Sequence, residues 1–176
     1  MDELLASLLA AAIQFSGLPP VETLPPVQAM PYQAMLNEIC ADERADVPML
    51  LAQYRQCTER HRMMTTVCDG LKVEADRHDQ CTQQRGLVAA YLIEQGRIVY
   101  RNDLDLDNDT DNSFLVHEYV HALQSQYFGK QVFETCQGVM TAEKQAYAVQ
   151  QKYLRSRSQL LRVGDRLRLV TCRDID

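Results

Sequence analysis

Ser113-Phe114-Leu115-Val116-His117-Glu118-Tyr119-Val120-His121-Ala122-Leu123-Gln124-Ser125-Gln126-Tyr127-Phe128-Gly129 has the periodicity of an amphipathic helix and no internal glycine or proline. Asp111, Asn112 and Ser113 are good N-caps, and Gly129 stands where a left-handed residue ends a helix, so the spacing predicts a helix starting near 111–113 and stopping at 129. Val116, Tyr119, Val120, Leu123 and Tyr127 fall at i, i+3, i+4, i+7 and i+11, an apolar stripe that should face a core. His117 and His121, four apart, share a face beside that stripe. Glu118 is turned by about 100° from His117. One element thus packs the core and presents two imidazoles and a carboxylate at its margin.

The flanking sequence gives this helix a setting. Residues 87–93 and 97–100 are β-rich runs around Glu94-Gln95-Gly96, a predicted hairpin. Residues 102–112 form an acidic loop. After Gly129 a second helix is predicted from Thr141, its N-cap, to about Arg155. Glu143, Ala146, Tyr147, Gln150 and Leu154 share one face of it, and Ala146 is small enough to let two helices approach closely.

Neutral imidazoles four apart on a helix can reach one metal ion, and the glutamate between them can take a proton from water beside it. Two of the four histidines of the chain lie in this His-Glu-x-x-His run. A third histidine six residues after His121 is excluded, because Tyr127 stands there and no histidine follows. The third ligand must then be a carboxylate, Glu143 or Glu134. Glu143, in the first turn of the predicted helix, is favoured over Glu134 in its irregular stretch.

His117-Glu118-Tyr119-Val120-His121 followed by a helical Glu143-Lys144-Gln145-Ala146 resembles the gluzincin group of zinc metallopeptidases, the thermolysin-like proteins and their smaller relatives, over residues 86–155. The resemblance implies an α+β, zincin-like domain with a small antiparallel sheet, an active-site helix and a glutamate helix. It implies Zn2+ on His117, His121 and Glu143, with Glu118 as general base and a peptide or protein as substrate. The edge strand of the sheet would bind that peptide in extended form. Many members carry an aspartate four residues after the ligand glutamate to orient the first histidine. Here that position is Tyr147, so another group must hold His117. The oxyanion of such a hydrolysis needs a donor besides zinc, for which Tyr147, Tyr127 and Tyr153 are candidates.

The remaining features frame this site. The 176 residues suit a single domain, residues 1–176, with a helical, proline-rich lead-in over 1–48 and the metallopeptidase-like core over 86–155. Helices are expected over residues 4–15, 32–41 and 49–64; residues 68–84 carry no clear pattern, and 160–172 fit helix or strand. A net charge of −6 with scattered basic residues argues against nucleic acid, and no apolar run is long enough for a membrane span. Six cysteines without a C-x-x-C pair fit disulfides in a periplasmic or secreted protein; six reduced thiols in the cytoplasm are the alternative. Asp2 and Glu3 before the first apolar stretch make it a poor export signal, so export would require a signal upstream. Asp103, Asp105, Asp107, Asp109 and Asp111 alternate without the glycine and glutamate of a calcium loop, and a solvated loop is expected. A deformylase-like site using Cys81 lacks the glycine that motif needs. The competing functional class is a non-catalytic zinc-binding or recognition domain.

Overall fold

The computed structural model describes residues 1–21, 23–61, 65–81, 86–165, 167 and 172. It combines helices with one small sheet, the α+β class expected from the sequence. The chain forms two compact units, Met1–Ala29 with Val88–Asp176, and Met30–Leu87.

The first unit holds the helix quoted above. Helix α1 (Asp2–Ser16) buries Leu5, Leu8, Leu9 and Ala12 at helical spacing and ends at Gly17, whose φ of 71° lets its N–H turn back to the Ile13 carbonyl. The strands β1 (Val27–Met30), β2 (Ala89–Leu92) and β3 (Arg97–Arg101) form a sheet in the order β1-β3-β2. The hairpin β2–β3 is antiparallel, with Ala89 opposite Tyr100 and Leu92 opposite Arg97. The proline-rich lead-in contributes β1: Ile98 N–H donates to the Pro26 carbonyl at 2.8 Å. Pro26 and Pro31 flank that strand, so neither removes a donor from within it. With a neighbour on each side, β3 buries Ile98, Val99 and Tyr100 in succession.

Helix α5 (Asp109–Phe128) lies against α1, β2, β3 and the last helix, α6 (Cys136–Ser156). Between positions 112 and 125 only Phe114 is less than buried. Val116, Tyr119, Val120 and Leu123 join the core as predicted, together with Leu115. Tyr127 does not: it is 60% exposed, because the last turn of α5 runs beyond the elements that cover the rest.

Both site helices begin earlier than the sequence suggested. Asn108 caps α5, its Oδ1 accepting from the Thr110 N–H at 2.8 Å, and Asp109 and Asp111 then favour the positive helix N-terminus. Thr135 caps α6 by accepting from the Gly138 N–H at 3.0 Å. Glu143 therefore stands two turns inside α6 and not in its first turn. Residues 160–164 follow α6 without regular structure.

In the second unit, α2 (Tyr32–Ile39), α3 (Ala41–Arg60) and α4 (Asp69–Cys81) are helical. The patternless stretch is thus largely α4, and α3 begins well before position 49 and runs through Pro48. Met35, Leu36, Cys40, Leu50, Cys68 and Ala75 are buried there. A disulfide joins Cys57 to Cys68, and in the first unit another joins Cys136 to Cys172. The sulfur of Cys81, the deformylase-type alternative, lies outside the described residues, as do positions 62–64 of the expected third helix.

Candidate metal centre

Ala142 and Ala146, one turn apart on α6, are 3% and 0% exposed, and their small side chains let α6 lie close against α5. That approach carries Glu143 across to the two histidines. Its Oε2 lies 3.4 Å from His117 Nε2 and its Oε1 3.2 Å from His121 Nε2, while the two Nε2 atoms are 3.1 Å apart. His117, His121 and Glu143 form a group able to hold a metal ion, with ligand atoms within 4.8 Å of one another. Glu134, the other carboxylate weighed, closes the short 3-10 turn after α5 and is not part of the group.

The outer partners fix which ring nitrogen faces the centre. Ser113 Oγ donates to the Thr110 carbonyl at 2.6 Å and accepts from Gln150 Nε2 at 3.0 Å. Gln150 Oε1 must then face His117 Nδ1, 3.2 Å away, which makes that nitrogen the N–H. Gln124 repeats this logic. Its Nε2 donates to the Ala142 carbonyl at 3.0 Å and to Gln145 Oε1 at 2.9 Å, so its Oε1 receives the His121 Nδ1 proton at 2.8 Å. Both Nε2 atoms therefore turn lone pairs towards each other and towards a carboxylate. Such a convergence of acceptors in a largely buried site requires a cation or a proton between them.

The electrostatics agree. Burial opposes charge on His121, but the hydrogen bond and charge of Glu143, with the charge of Glu118 and the hydrogen bond His121 donates to Gln124, outweigh it and raise its pKa. Burial likewise opposes charge on Glu143, yet its contacts with His117 and His121 hold the carboxyl far below the usual carboxylate range. Imidazole and carboxylate in a two-to-one set suit zinc.

Glu118 sits on the adjoining face of α5 and accepts the Tyr91 N–H at 2.8 Å through Oε2. That contact ties the helix to the outer edge of β2 and leaves Oε1 free of it. Of the three tyrosines considered, Tyr147 meets the centre: its ring packs edge-on against His117 with centroids 4.4 Å apart. Burial, with the charges of Glu143 and Glu118, raises its hydroxyl pKa. Tyr153 is buried with its hydroxyl on Asp109, and Tyr127 projects into solvent. Tyr147 thus meets His117 by ring contact, while Gln150, three residues on, makes the hydrogen bond to it.

The sequence left Gln124 and Gln150 without roles and offered Ser113 only as a helix cap. A signal existed: Gln150 shares the face of Glu143, and Gln124 lies one turn after His121. The acidic loop is occupied with its own structure, with Arg101 paired to Asp103, Asp105 Oδ1 accepting from Asp107 N–H, Asp111 Oδ2 accepting from Asp105 N–H, and Asp109 facing Arg157.

No family model, curated protein or solved structure was found to match this chain.

Proposed function

We propose that this protein is a zinc metallopeptidase of gluzincin-like design, with a zincin-like first unit. The observation that carries this reading is the pair of Nε2 lone pairs aimed at Glu143, each held there from behind by a glutamine. Zinc bound by His117, His121 and Glu143 would supply a Lewis acid that brings the pKa of water to roughly 7 and polarises a carbonyl. Glu118 then takes the proton of the attacking water on its carboxylate and returns it to the departing amine. The Tyr91 N–H holds Glu118 in one rotamer, so the base does not swing away from the site. Tyr147, whose ring packs against His117, is the tyrosine that would serve the developing oxyanion.

The sheet supports a peptide as substrate. In the register of β2 against β3, the Ala89 N–H and the carbonyls of Ala89 and Tyr91 point away from β3, towards the outer edge of β2, while the Tyr91 N–H there is already taken by Glu118. An extended chain can pair there, beside Glu118. Disulfides Cys57–Cys68 and Cys136–Cys172 accord with a secreted or periplasmic protein. No described helix is long and apolar enough to cross a membrane.

Glu118→Gln tests the assignment, because the amide oxygen still accepts from Tyr91 but cannot take a proton. Zinc binding should persist near one per chain, while cleavage of unfolded protein substrates falls about 10²–10⁴-fold. Equal cleavage by the two proteins removes Glu118 as the base. Zinc binding without cleavage by the wild type favours the non-catalytic reading.

A further inference from the structure

Beside the metal centre, α6 and the segment that follows it line an open groove of about 530 Å³. One wall is the helical stripe Lys144, Ala148, Gln151 and Arg155; the other includes Arg162, Val163 and Gly164. Gln151 joins the walls, its Nε2 donating to the Leu161 carbonyl at 2.8 Å and its Oε1 accepting from Val163 N–H at 3.3 Å. Tyr147 belongs to this groove and to the centre at once. On one side its ring meets His117; on the other it meets Gly164, where a Cβ would lie 2.7 Å from Tyr147 Cγ.

Lys144, Arg155 and Arg162 are exposed along these walls, and none forms an ion pair with a described residue. Asp165 is the one acid among the described lining residues. Three cations without an ion-pair partner among the described residues, gathered in one groove, run against the net charge of −6 of the chain. Like charges are gathered at a cost, which an anionic ligand would relieve.

We propose that this groove is a subsite for a carboxylate of the peptide substrate, an acidic side chain or the C-terminal carboxylate, and so selects acidic peptides. The proposal rests on the peptidase assignment for the identity of its ligand. Lys144 to Arg155 spans about 16 Å of helix at 1.5 Å per residue. An extended peptide covers that length in roughly five residues. The recognised carboxylate therefore lies within about five residues of the scissile bond.

The test uses the full chain, metal-free and zinc-loaded, and reads peptide binding by fluorescence anisotropy at low salt. Three labelled peptides are compared: an end-blocked peptide carrying glutamates, its glutamine counterpart, and the glutamine peptide with a free C-terminal carboxylate. A carboxylate-bearing peptide should bind roughly 10-fold more tightly than the blocked glutamine peptide, with the preference shrinking in high salt. Whichever of the two does so identifies the source. Arg155→Gln with Arg162→Gln should abolish the preference, and the Arg155→Lys, Arg162→Lys pair should keep most of it. Equal binding of all three peptides overturns the proposal, as does a preference that survives the glutamine pair. Failure of the peptidase assignment appears separately, as absent zinc or absent cleavage, since the anisotropy requires neither.

Discussion

Gln150→Leu separates a metal centre held by its outer partners from a chance cluster of polar residues. Gln150 is 1% exposed, His117 7% and Ser113 0%, so no water readily replaces the lost amide. The substitution keeps the side-chain volume approximately and removes both the acceptor on His117 Nδ1 and the donor to Ser113 Oγ. Ser113 retains the Thr110 carbonyl, whereas the His117 N–H is left buried without a partner. An unsatisfied buried donor costs about 1–3 kcal/mol, which sets the expected loss of stability in the metal-free protein. With Nδ1 no longer held, the ring can take the other tautomer and place a proton where the metal belongs. Loss of such an outer partner weakens metal affinity about 10–100-fold. A competition titration against a chromophoric zinc chelator measures this directly, with thermal unfolding of the metal-free protein as the companion assay. Gln150→Glu keeps an acceptor on Nδ1 and should recover most of the affinity. Zinc bound as tightly by the leucine variant as by the wild type would refute the claim that Gln150 sets the His117 tautomer.

Other outcomes follow from the same geometry. Glu143→Ala should weaken zinc binding by more than the ~10–100-fold of an outer-partner change, while Glu134→Ala leaves it unaltered; the reverse result in the chelator titration would reassign the third ligand. In the metal-free protein, His121 has a raised pKa, so its contribution is complete below 6.5 and is lost as pH rises through its folded value. Glu143 has a lowered pKa, so its contribution is complete above 4.5 and is lost as pH falls through its folded value. Their pairing therefore stabilises most between pH 4.5 and 6.5, and the unfolding temperature of wild type relative to Glu143→Gln should peak there; a difference flat from pH 4 to 9 would contradict the pairing. Gly164→Ala places a Cβ against the Tyr147 ring at a backbone φ of 76°, and should cost about 1 kcal/mol or more in thermal unfolding. An unchanged melting temperature would show that the segment after α6 does not hold Tyr147.

The sequence by itself determined the elements that periodicity controls. The stripe Val116, Tyr119, Val120 and Leu123 predicts α5 with His117 and His121 on one face, and a helix places residues four apart on one face whatever surrounds it; that nearly every face between 112 and 125 is buried was decided by packing. Gly129 marked the end of α5, and Gly96 the hairpin turn, because each supplies a backbone conformation that other residues rarely adopt. Tertiary packing decided what local spacing cannot reach. The start of α6 at Cys136 depends on Thr135 as its cap, and the sequence offers Thr141 equally well. Short β1 exists because β3 offers it a partner; Tyr127 stays in solvent because no described element covers that turn. The nitrogens of His117 and His121 were oriented by glutamines on α6 and α5, since a tautomer is chosen by the hydrogen bond at the opposite ring atom. Helical spacing put two imidazoles on one face, and only the close approach of α6 through Ala142 and Ala146 turned them, with Glu143, into a centre that can hold a metal ion.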